Sequence, residues 1–152
     1  MTIRDRMRLG LLLLGIPQAA IGLWAIADPT AWFDTFPGAG HNWLPEFGPY
    51  NEHLAVDAGA GLFAAGVVAI AAAMMLERRV VQVAMVAFLA WSVPHALWHL
   101  TALDEALPGG DDIANVSALA FTVVLPIVLL ATASRLEAVS YTHLTLPTTP
   151  YV

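Results

Sequence analysis

The sequence predicts an all-α membrane protein, a bundle of four transmembrane helices, and three observations carry that prediction. Composition comes first: 59% of the 152 residues are hydrophobic and 12% are charged, whereas soluble domains run to roughly half apolar and a quarter charged. Mean hydropathy is +0.71. Second, four apolar stretches each approach the roughly 20 residues that a helix needs to cross the hydrocarbon core. Third, every basic residue falls on one side of a four-span threading of the chain. The length suits a single domain.

The spans are Leu9 to Ala27, about Leu54 to Leu76, Val80 to Leu100, and Ile113 to about Thr132. Each is predicted helical, because lipid cannot satisfy an open backbone. Pro17, Pro94 and Pro126 fall inside three of them. Membrane helices tolerate such prolines, each of which frees one carbonyl a turn earlier.

Orientation follows from arginine. Arg4, Arg6 and Arg8 precede the first span, Arg78 and Arg79 separate the second from the third, and Arg135 follows the fourth. The other two connections carry only acids: Asp28, Asp34, Glu46 and Glu52 in one, Asp104, Glu105, Asp111 and Asp112 in the other. The positive-inside rule then places both ends of the chain in the cytoplasm. The Arg-rich start and Ala25-Ile26-Ala27 also fit a signal peptide. The first apolar stretch exceeds the usual 7–15 residue signal core, which favours a retained helix. Gly15, Gln18, Ala19 and Gly22 share one face of that helix, and small residues at such spacing admit a close neighbour. The net charge of −6, with no basic patch beyond these arginines, excludes a nucleic-acid partner. Cysteine is absent, which excludes disulfides and thiolate metal sites.

The connection from Asp28 to Asn51 is long and aromatic. Trp32, Phe33, Phe36 and Trp43 suit a segment anchored in the outer lipid interface, broken into turns by Pro37, Gly38 and Gly40.

Antiparallel threading decides which polar residues meet. His53 and Asp57, four apart on the second span, belong to its outer end, as do His95 and His99 on the third. The carboxylates and imidazoles of these four residues are the candidate ligands of a divalent transition metal, zinc, copper or iron. Glu52, Asp104 and Asn115 are placed to support them. The competing reading is a hydrogen-bonded polar cluster without metal. Ala96 follows His95, so the Glu of the His-Glu-x-x-His protease signature is missing. The run Ala58, Gly59, Ala60, Gly61, Ala64, Ala65, Gly66 reads first as close helix packing and second as room for a flat ligand such as a quinone, haem or lipid.

Beyond Glu137 the character of the chain changes. Val139 to Val152, VSYTHLTLPTTPYV, has no charge and four threonines. It resembles the translated read-through of a transposase-based sequencing adapter: a constant frame through Pro147-Thr148, three index codons, then Val before a stop. The bundle is therefore assigned to residues 1–138, with 139–152 a non-native disordered tail and native sequence continuing past Ala138.

The length, the four spans and the outer polar cluster resemble those of the DoxX-like small bacterial membrane proteins, over about Arg4 to Glu137. Gly48–Leu54 (GPYNEHL) and Pro94–His99 (PHALWH) have the look of subfamily signatures. The resemblance implies a bacterial plasma-membrane protein accessory to redox chemistry, with a homo-oligomer or a larger membrane complex as partner. Two other classes stay open: a non-catalytic scaffold subunit, and a small transporter or proton path, for which Gln18 and Thr122 are the polar steps below the cluster.

Overall fold

A computed structural model describes residues 1–101, 107 and 111–136. Four of its helices are long and apolar enough to cross a membrane. These are α1 (Ile3–Ala27), α3 (Glu52–Met75), α4 (Arg78–Thr101) and α5 (Asp111–Thr132), with a short α2 (Pro29–Thr35) after the first. At 1.5 Å per residue, the 24 residues of α3 reach about 36 Å, enough for the hydrocarbon core and part of the headgroup layer.

The helix ends have local causes. α1 begins two turns before its apolar stretch, because Thr2 and Asp5 form a reciprocal capping box. Asn51 caps α3 by accepting from the backbone N–H of Leu54. Leu76 ends α3 in the left-handed region at φ 50°. Its side chain is buried in the core, so packing holds a conformation usually left to glycine. Asp112 accepts from the backbone N–H of Leu107 just before α5.

The helices run up and down. Met7 near the start of α1, Leu76 at the end of α3, Val81 at the start of α4, and Ala133 and Leu136 after α5 share one buried cluster. Both described ends of the chain and the α3–α4 turn therefore lie at one end of the bundle, and all six arginines lie with them. Arg8 Nε donates to the carbonyl of Ala73 at 3.3 Å, a cation on the negative end of the α3 dipole.

The tightest contact is between α1 and α3, and it is made by backbone. A Cβ at Gly22 would overlap the backbone nitrogen of Phe63 and lie 2.6 Å from the carbonyl oxygen of Gly59. One turn and more below, a Cβ at Gly66 would overlap the nitrogen of Ala19 and lie 2.7 Å from the oxygen of Gly15. The small-residue face read from α1 is thus the face that α3 approaches, and close packing is the use made of Gly59 and Gly66. By burial, α1 is the most enclosed of the four long helices.

Gly61 sits on another face of α3, where a Cβ would find only Trp91 Nε1 at 3.8 Å. Gly61→Ala should leave stability unchanged or raise it, because alanine is the better helix former by about 1 kcal/mol. Gly22→Ala should lose about 1–3 kcal/mol through overpacking. Reversible unfolding in mixed micelles measures both, and equal effects at the two glycines would contradict the backbone contact.

Candidate functional site

The two halves of the bundle differ. The Arg end is filled: Leu11, Leu14, Met85, Phe88 and Leu129 close it with apolar side chains. The opposite half holds a cavity of about 210 Å³. Gln18 of α1, Ala58 and Leu62 of α3, Trp91, His95 and His99 of α4, and Asn115 and Thr122 of α5 line it. All four long helices contribute to its wall.

The loop between α1 and α3 supplies its roof. Trp32 of α2, Phe36, Trp43, Leu44 and Phe47 all face the cavity. A two-residue hairpin, β1 (Pro37–Gly38) against β2 (His41–Asn42), turns through Ala39 and Gly40 at positive φ. A 3-10 turn at Leu44–Phe47 follows. Trp32 and Trp43 are buried, at 7% and 9% exposure. Beyond the anchoring expected of this segment, Trp32, Phe36 and Trp43 thus pack over the end of the bundle away from the arginines.

Asp111, the first residue of α5, latches this roof. Its Oδ2 accepts from Trp43 Nε1 at 2.8 Å and lies 2.7 Å from His41 Nδ1. Sequence reasoning placed Asp111 at the outer end but gave it no partner. The single signal was an unpaired acid opposite an aromatic loop.

On α4 an aromatic ladder faces the cavity. Trp91 and His95 stack at 5.1 Å with 17° between planes, and His95 meets His99 edge-on at 4.7 Å. Phe47 of the roof closes on His99 at 5.0 Å. The 91, 95, 99 spacing is the helical repeat that brings i and i+4 together.

Of the expected site residues, the structure brings together His95, His99 and Asn115 at the cavity wall. It does not bring His53 and Asp57 there. Their side chains are 83% and 62% exposed and pair with each other, Nε2 to Oδ2 at 3.3 Å. Helical geometry explains it: α3 turns Ala58 and Leu62 inward, and at 3.6 residues per turn His53 and Asp57 lie roughly 100–180° around the helix from them. The expected convergence with α4 therefore fails on the α3 side. Glu52 is exposed beside His53, and Asp104 lies outside the described residues, as do 137–152. Among the described residues no group of three or more His, Asp or Glu is placed to hold a metal ion.

The cavity has a different polar signature. Four buried side-chain atoms among the described residues lack a hydrogen-bond partner: Gln18 Oε1, Trp32 Nε1, Ser92 Oγ and His99 Nδ1. Gln18, Trp32 and His99 all line this one cavity. Gln18 is 8% exposed and Trp32 is 7% exposed. A buried polar group left unpaired costs about 1–3 kcal/mol by mutational measures, so three around one space define a set of groups that a bound molecule would satisfy. The sequence showed Gln18 as a lone polar residue on a small-residue face. Its inward placement beside the roof tryptophan needed the tertiary fold.

If Asp111 holds the roof, Asp111→Ala should speed hydrogen exchange at the Trp43 backbone amide, which bonds to the Phe36 carbonyl at 2.8 Å, while amides in the middle of α1 keep their protection. An unchanged Trp43 amide would show that the roof stands without the latch. Comparison of the chain with protein-family models, with curated proteins and with solved structures found no match.

Proposed function

We propose that this chain is a multi-pass protein of a bacterial plasma membrane, with both termini cytoplasmic, that binds an uncharged, hydrogen-bonding molecule in its outer chamber and serves as an accessory to membrane redox chemistry. The observation that carries the binding reading is the pair of buried, unpartnered side chains, Gln18 and Trp32, on one aromatic-walled cavity. Ligand sites are typically apolar hollows with a few convergent polar groups, and helix bundles build theirs between facing helices. No Asp, Glu, Lys or Arg lines the chamber among the described residues, which favours an uncharged occupant. The redox assignment rests on the architectural resemblance to DoxX-like proteins.

Two rival roles have less support. A transition metal at His95 and His99 would lack a carboxylate ligand from the described chamber wall. A through-path for protons or solutes would have to cross the apolar base around Leu14, Met85 and Phe88. The scaffold reading has one observation in its favour. The His53–Asp57 pair lies on the outward face of α3, where a polar pair facing hydrocarbon is costly without a headgroup or a neighbouring subunit.

Orientation is tested by reporter fusions. Reporters after Arg79 and Arg135 should read cytoplasmic and one at Gly40 should read external; a cytoplasmic Gly40 would refute the topology. Binding is tested by extracting the protein with a membrane-solubilising copolymer and analysing the organic extract by mass spectrometry. One compound should recur in near-stoichiometric amount and be lost from Ala58→Phe, which fills the chamber. Its absence from the parent protein, or its retention in the filled variant, would sink the binding reading.

A further inference from the structure

A second hollow lies on the outside of the bundle at the same depth as the chamber. It is a groove of about 230 Å³ between α4 and α5. Its walls are apolar throughout, with Val93 and Leu97 on one side and Val116 and Val124 on the other. Leu97 and Val124 are both 57% exposed, so in a bilayer the groove faces acyl chains. Along α4 it runs from Val93 to Leu100, about 10 Å at the helical rise.

Leu119 lines both the groove and the chamber. It is 9% exposed and stands in the wall between them. On its inner side are the unpartnered Gln18 Oε1 and Trp32 Nε1. On its outer side nothing is polar. From this juxtaposition we infer that the chamber binds an amphiphile, an uncharged hydrogen-bonding head group held inside and a single apolar chain passing Leu119 into the α4–α5 groove. The inference rests on the chamber-binding reading and specifies its ligand class and its entry route.

Three physical arguments support it. The roof, pinned by Asp111 to α5, lies over the chamber at the end away from the arginines, and on the α4–α5 side Leu119 is the residue that chamber and groove share. The apolar groove gives a chain contact along its length, while the unpaired amide and indole reward a head group that can both donate and accept. The absence of charged residues from both described linings disfavours a phosphate or carboxylate head, whose burial without a counter-charge is prohibitive.

The test uses the whole protein in phosphatidylcholine nanodiscs doped with a monoacylglycerol carrying a photoactivatable diazirine, either mid-chain or at the glycerol end. The mid-chain probe should label Leu97 and Val124 well above Leu23 and Val83, which are comparably exposed on other faces. The glycerol-end probe should label Trp91 in the chamber. Leu119→Trp, which blocks the wall, should reduce Trp91 labelling several-fold, and Leu119→Ala, which opens it, should raise it. A fatty acid of the same chain length should label Trp91 far less. Even labelling of all exposed residues, or Trp91 labelling indifferent to both Leu119 variants, would overturn the inference. If a compound co-purifies with the protein but the glycerol-end probe never reaches Trp91, the amphiphile and its route fail while chamber binding stands. If neither is found, both fail together.

Discussion

The backbone contact between α1 and α3 is the constraint around which the other elements arrange themselves. Glycines at 22 and 59, and at 15 and 66, let the two helices meet without intervening side chains. The two helices are long and apolar enough to cross a membrane, and between membrane-spanning helices close van der Waals packing, with no hydrophobic drive, supplies the association. A pair drawn this tight contributes few large side chains to the space beside it. At the Arg end, α4 and α5 supply them: Met85, Phe88 and Leu129 reach across to Leu11 and Leu14. At the other end α3 offers Ala58 and Leu62 and α5 offers Asn115 and Ala118. The chamber is where small side chains from several helices face one another, and the aromatic roof is the local answer to the same shortage.

Asp111 links that roof to the helix pair on the far side. One carboxylate oxygen serves an indole from the loop and lies within reach of an imidazole two residues before it. The carboxylate also sits at the N-terminus of α5, where the helix dipole favours negative charge. The acidic start of the fourth span therefore has a structural use in both directions, for its own helix and for the loop.

Much of this was legible in the chain itself. Four spans, their order and the common side of the arginines follow from apolar length and charge placement, and the described helices reproduce them within a few residues. The small-residue face of α1 was legible because Gly15, Ala19 and Gly22 recur at helical spacing. The His95–His99 pair was legible as one face of its helix for the same reason. His53 and Asp57 were misplaced because an i, i+4 pair declares only that two residues share a face, not which face. Seeing that α3 turns Gly59 and Gly66 toward α1 would have fixed the rotation of the helix and put the pair outside. The packing of the roof was not legible because tryptophan suits both a lipid interface and a packed cap, and a cap depends on whether the bundle beneath leaves a gap.

That rotation also accounts for the division of polar groups in the half of the bundle away from the arginines. The His53–Asp57 pair of α3 faces outward and is exposed. The groups turned inward among the described residues are amides, indoles and imidazoles rather than carboxylates or guanidiniums, and they cost far less to enclose than an unpaired ion. The α4–α5 seam has no glycine and no backbone contact of the α1–α3 kind. Its side chains are Val, Ala and Leu at the level of the chamber, so it is closed by side chains where the α1–α3 seam is closed backbone to backbone. The pair joined backbone to backbone and the pair joined by side chains thus face each other across the chamber, with Leu119 in the wall on the α5 side.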